Sequence, residues 1–130
     1  MSVVAGNNNT ALGHNAGRLI TTGSDNICIG VNAGNGGSQT LTTGSQNTII
    51  GKDAKVSGGG SINSTAIGYQ AQVDGNNTIQ LGNASVSAVK TNGTLYALGL
   101  ESIGTNSTLN IASVNNTNCC DTNRTVHARG

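Results

Sequence analysis

The chain has 130 residues, with twenty Gly, three Cys, two Tyr, no Pro, Trp or Phe, and a formal net charge of +1. A near-neutral chain without basic patches or stacking rings argues against nucleic-acid binding, and no apolar run is long enough to span a membrane. There are also too few large side chains to fill a globular centre at native density.

Met1-Ser2-Val3-Val4-Ala5-Gly6 has neither a basic region nor a long apolar stretch, so it does not read as a secretory leader. A phrase of the form Asn-(Thr/Ile)-x-(Ile/Leu)-Gly-x-x-Ala then recurs. Its copies are Asn9–Ala16, Asn26–Ala33, Asn47–Ala54, Asn63–Ala71 and, less regularly, Asn77–Ala84. In the last copy Ser85 stands where the others have Ala, and Ala84 comes one place early. A fixed internal phrase means an array of similar units. Disorder is the competing reading of so much Gly, Asn, Ser and Thr, but random low-complexity sequence would not put Leu12, Ile29, Ile50, Ile67 and Leu81 each directly before a glycine.

Those glycines, Gly13, Gly30, Gly51, Gly68 and Gly82, act as markers. Their spacing predicts a basic turn of about fourteen residues with insertions of about three or seven. The longer linkers, Gly17–Gly23 and Gly34–Gly44, are loops or widened coils on one face. Each phrase predicts a short strand followed by a sharp bend at the marker glycine, where positive φ and close backbone approach suit a residue without Cβ. The expected repeat core is Leu12, Ala16, Ile29, Ala33, Ile50, Ala54, Ile67, Ala71 and Leu81. Asn ahead of each strand either bonds the backbone in a turn or stacks on the Asn of the next coil.

The fold class is therefore all-β: a parallel β-roll or solenoid spanning residues 1–86. Each unit buries its apolar face only against its neighbours. So thin a stack leaves apolar surface uncovered, and a homotrimer of rolls about a common axis is expected to cover it.

After Gly82 the phrase stops. Ser87–Thr91 and Thr94–Leu98 flank Asn92-Gly93, which predicts a β-hairpin. A further strand is expected within Thr108–Ala112, so residues 87–114 form a hairpin and strand transition region. Residues 115–130 are a polar tail, either flexible or docked on a partner.

Chemistry-bearing constellations are scarce. Cys28 reads as a small core residue, whereas adjacent Cys119 and Cys120 could form an interchain disulfide. No Cys/His spacing suggests zinc. His14 takes the variable slot held elsewhere by Val31, Lys52 and Tyr69. Asp25, Asp53, Asp74, Glu101 and Asp121 are isolated, and Gly58-Gly59-Gly60-Ser61 lacks the Lys-Ser/Thr ending of a phosphate loop. Asn-x-Ser/Thr sequons occur, but conventional glycosylation is not expected without a leader. Neither enzymatic activity nor a catalytic, metal or cofactor site is expected.

The repeats, with their Gly-Ser and Gly-Asn linkers, resemble the YadA-like head repeat of trimeric autotransporter adhesins over about residues 6 to 98. The resemblance implies a left-handed parallel β-roll that trimerises. Asn77–Leu95 is also similar to segments of tail-fibre-like proteins from phages and large DNA viruses, where it precedes an intramolecular chaperone. A roll starting at Met1, with no recognisable stalk, barrel anchor or chaperone, is expected to be a structural virion protein, a trimeric fibre or capsid-associated rod that mediates attachment or assembly, contacts a host receptor and docks on other virion or capsid proteins through residues 115–130. The alternative is a bacterial adhesin head at the cell surface. A remoter one is an ice-binding solenoid, for which Thr10, Thr48 and Thr65 align but Ile27 and Ile79 interrupt the column.

Overall fold

A computed structural model describes residues 6–96. Its elements are β1 (Thr10–Leu12), β2 (Ile27–Ile29), a 3-10 turn (Gly37–Gln39), β3 (Thr48–Ile50), β4 (Thr65–Ile67) and β5 (Ile79–Leu81). The five strands form one parallel sheet in chain order, a β-solenoid of about four turns. Thr10 pairs with Ile27, Ile27 with Thr48, Thr48 with Thr65, and Thr65 with Ile79. This register reproduces the spacing of the marker glycines, with the insertions accommodated outside the strands.

Three inward residues per coil make the core. The first is mid-strand: Ala11, Cys28, Ile49 and Ala66 in successive coils. The second is the Ala beyond the bend, at positions 16, 33, 54 and 71, buried as expected. The third is Ile20, Leu41, Val56 or Val73. The wider coils bring in the bulkier Ile20 and Leu41, which pack near the small Cys28. Coil size and side-chain volume therefore compensate along the axis.

The aliphatic residue before each marker glycine lies elsewhere than the core expected for it. Leu12 is 66% exposed, Ile67 39% and Leu81 45%, while Ile29 and Ile50 are half-buried. The reason is the period of a strand: in a three-residue strand the outer two residues share one face and the middle one takes the other. Inside this chain, the centre belongs to the middle residue.

The marker glycines all have positive φ, +120° at Gly30 for example. A Cβ on Gly30 would lie 2.8 Å from the Gly51 carbonyl carbon and oxygen, so the coils stack too closely there for any side chain. Two further left-handed positions recur with polar side chains. One holds Asn8, Asp25, Gln46, Asn63 and Asn77; the other holds Asn15, Asn32, Asp53 and Gln70. Asn and Asp side chains tolerate this conformation and here also bond between coils, as in Asn32 Nδ2 to Asp53 Oδ1 at 2.9 Å.

A buried carboxamide ladder runs beside the sheet. Asn26 donates its Nδ2 to Asn9 Oδ1 at 3.0 Å and to the Gly44 carbonyl at 2.9 Å. Asn47 repeats this one coil on, to Asn26 Oδ1 at 2.9 Å and the Ser61 carbonyl at 2.7 Å. Each Asn Oδ1 also accepts the backbone N–H of the next rung, ending with Ser64 N–H on Asn47 Oδ1 at 3.0 Å. Stacking and backbone bonding, alternatives from sequence, thus coexist in one side chain. Ser64 holds the fourth rung, and Asn63 and Asn77 sit one place earlier, in a left-handed column.

Past β5 the chain turns at Asn83, and a compact unit ends at Lys90. The expected first hairpin arm, residues 87–91, carries no strand; its apolar side chain Val89 is 65% exposed. A lone hairpin with nothing to pack against is marginal in water. The second arm beyond Tyr96, the Thr108–Ala112 strand, the 115–130 tail and Cys119/Cys120 lie outside the described residues.

The buried ladder generates a contrast in stability. Asn47→Ala leaves Asn26 Oδ1, the Ser64 N–H and the Ser61 carbonyl short of a buried partner and should cost about 3 kcal/mol. Asn63→Gly, which removes an exposed rung to Asn77 without straining the left-handed backbone, should cost under about 1 kcal/mol. Urea unfolding of both variants checks the difference.

Candidate functional site: the outer face of the strand ladder

The strand geometry that buries the middle residue also presents two columns outward. One is Thr10–Ile27–Thr48–Thr65–Ile79; the other is Leu12–Ile29–Ile50–Ile67–Leu81. Parallel pairing in register places each side chain beside its equivalent on the next coil, with a strand-to-strand spacing of about 4.8 Å. The second column is aliphatic along its whole length. With Ile27 and Ile79, the latter 70% exposed, it forms a contiguous apolar stripe along the solenoid. Other apolar side chains, such as Leu19, Ile62 and Val89, are exposed singly, but a continuous ordered stripe of this kind marks a surface that meets something else.

Beyond the marker glycines runs a mixed column, His14, Val31, Lys52 and Tyr69, all exposed. Its backbone continues the ladder: Asn32 N–H donates to the His14 carbonyl at 2.9 Å, Asp53 N–H to Val31 at 2.9 Å and Gln70 N–H to Lys52 at 3.0 Å. The Lys52 ammonium lies 5.9 Å from the centre of the Tyr69 ring and 4.0 Å from Asp53 Oδ2. Both contacts are solvent-exposed and contribute little on their own. His14 is thus a rim residue on a bend. Sequence reasoning placed the outer aliphatics in the core because it counted them as branched residues before a bend. Their period-2 relation to the small middle residue was the signal that would have turned them outward.

Reactive groups do not converge anywhere nearby. Among the described residues, no three of His, Cys, Asp and Glu gather closely enough to hold a metal ion, and no helix is long and apolar enough to cross a membrane. Shallow depressions mark the two ends of the solenoid, one lined by Ala11, Gly13, Asn15, Ala16 and Arg18 and the other by residues of the last two coils, among them Gln70, Gln72, Gln80 and Asn83.

Cys28 is fully buried, and burial pushes its thiol up to about 11 from an ordinary 9.0. The thiolate is the reactive form, so the residue is held inert at neutral pH. The unfolded chain loses this proton first, so the linked stability is whole below about pH 9 and declines as pH rises towards 11. Cys28→Ala, with the residue found at the same place in β1 and β4, should lose less stability than the parent between pH 8 and 10.5, by about 1–2 kcal/mol. Chemical unfolding of the two proteins across that range checks it.

Compared with known proteins, the chain matches no family model, no curated protein and no solved structure.

Proposed function

We infer that the chain is a structural rod of a virus particle, a homotrimeric fibre or capsid-associated component. The observation that carries this reading is the aliphatic column Leu12–Ile29–Ile50–Ile67–Leu81, left partly or largely exposed by a single chain. Covering a side chain of this size stabilises by about 1.5–3 kcal/mol when exposure is complete and by less where it is partial. Five in a row supply a continuous seam that can offset the entropy lost on association. Two further copies offer the same seam with the same coil spacing, and three seams about an axis cover one another. The left-handed, YadA-like form of the roll and its kinship with viral fibres belong to this reading and rest on the repeats' resemblance to those proteins.

The function that follows is mechanical. Closely stacked coils held by buried amides make a stiff spacer. The inserted segments, such as the turn at Gly37–Gln39, present small polar loops from its side to neighbouring subunits or to a host surface. A bacterial adhesin head would use the same rod. The outer Thr column does not favour ice binding, because Ile27 and Ile79 break it.

In solution the protein should have about three times its chain mass of 12.9 kDa by light scattering at micromolar concentration. Ile50→Asp with Ile67→Asp should bring that down to one chain mass while the sheet signal in circular dichroism remains; Thr48→Ser, on the neighbouring outer column, should leave the mass unchanged. A folded wild-type monomer would contradict the trimer. An antibody to the 36–39 loop should decorate purified virus particles, and particles without the protein would contradict the virion assignment.

A further inference from the structure

Two Asn-Gly pairs occur in the chain, Asn35-Gly36 and Asn92-Gly93. An asparagine side-chain carbonyl lies within reach of the next residue's backbone nitrogen, and glycine leaves that nitrogen uncrowded because it has no Cβ. The fold treats these asparagines and those of the ladder differently.

The ladder amides are protected in two ways. Asn9, Asn26 and Asn47 precede Thr10, Ile27 and Thr48, whose branched side chains crowd the following nitrogen. Those same nitrogens are engaged between coils. Thr10 N–H donates to the Asn26 carbonyl at 2.8 Å, Ile27 N–H to the Asn47 carbonyl at 2.8 Å and Thr48 N–H to the Ser64 carbonyl at 2.9 Å. Asn35 is followed by glycine but is clasped. Its N–H donates to the Asn32 carbonyl at 2.9 Å, and its Oδ1 accepts from Thr40 Oγ1 at 3.4 Å. The flanking Gly34 carbonyl accepts from Leu41 N–H at 2.9 Å. Lys55 lies across Gly36, where an added Cβ would come within 2.6 Å of the lysine Cδ. The pair is half-buried.

Asn92-Gly93 has no such restraint. Both residues are exposed in a bend outside any strand, and a Cβ on Gly93 would meet nothing within 4 Å. A nearby bond, from Thr91 Oγ1 to the Gly93 carbonyl at 3.3 Å, uses neither the Asn92 side chain nor the Gly93 nitrogen. The pair stands just past Lys90, where the compact unit of the coils ends.

We propose that Asn92 is a modification site at which the chain deamidates itself, with water as the only co-reactant. Gly93 N–H gives up its proton to solvent, and the nitrogen lone pair attacks Asn92 Cγ. The new N–Cγ bond closes a five-membered imide. The Cγ–Nδ2 bond breaks, and Nδ2 takes up a proton and leaves as ammonia. Water then opens the ring at either carbonyl. Cleavage at Cγ gives aspartate; cleavage at the main-chain carbonyl carbon gives isoaspartate, whose backbone runs one methylene longer. Nothing is oxidised or reduced. The one added carboxylate takes the formal net charge from +1 to 0. Charge and local backbone thus change with age beyond the last coil, while the coils keep their rungs.

Peptide mapping by mass spectrometry tests this on the full chain, aged in neutral and in mildly alkaline buffer. Asn92 should convert at least about tenfold faster than Asn35, Asn26 or Asn47. The rate should rise with pH, because the attacking nitrogen must lose its proton, and the product should contain isoaspartate. In urea, where the clasp on Asn35 is gone, the two Asn-Gly pairs should convert at similar rates. Gly93→Ala should slow conversion of Asn92 by about tenfold or more, with circular dichroism unchanged. Equal conversion of Asn35 and Asn92 in the folded chain overturns the proposal, because the fold then selects no site. An Asn92 that stays intact, or one that converts at an unchanged rate in the Gly93→Ala protein, overturns it as well.

Discussion

Everything in this fold depends on coils lying directly on top of one another without side chains between their bends. The carboxamide ladder enforces that contact. Asn26 and Asn47 are fully buried, and each bonds a neighbouring rung, a neighbouring backbone N–H and a carbonyl. A buried amide left unpaired costs more than a paired one gains, so any slip of one coil against the next by a residue is penalised at every rung. Among the described residues, no buried side-chain nitrogen or oxygen lacks a partner. Satisfying the polar groups thus selects the register, and the small core only has to be compatible with it.

Two consequences follow from fixed register in strands of three residues. Inside, one residue per strand is available, so the core is narrow and uses Ala, Cys and Ile with help from the residue beyond the bend. Outside, two residues per strand stand in straight columns, and one of those columns is aliphatic throughout. A chain that buries little within itself and exposes an ordered apolar seam is suited to lateral association, and the same geometry makes it a spacer. The proposed trimeric rod uses the side of the stack, where those columns stand.

Much of this was legible in the residues. The marker glycines gave the number of strands, their order and the changing step between coils, because only glycine fits where backbones meet at positive φ. The small Ala beyond each bend was also readable, since the returning chain has room for little else. Two features were not. The outward turn of Leu12, Ile67 and Leu81 was hidden because a hydrophobic residue before a bend suits either face; the neighbouring Ala, Cys or Ile decides it only once strand length is known. The shift of the fourth rung from Asn63 to Ser64 was hidden because an Asn serves equally as a left-handed turn residue and as a ladder residue. What covers the seam is a property of the assembly, which the residues of one chain do not specify.

The central claim is that buried amide rungs, rather than the thin apolar interior, lock the coils together. Native-state hydrogen exchange resolved by residue addresses it directly. The backbone amides of Asn26, Asn47 and Ser64 should exchange only through global unfolding, slowest of all residues in the solenoid and orders of magnitude slower than Ser38 in the exposed 3-10 turn. If those three amides exchange as fast as Ser38 while the mid-strand amides stay protected, the ladder does not hold the stack and the account fails.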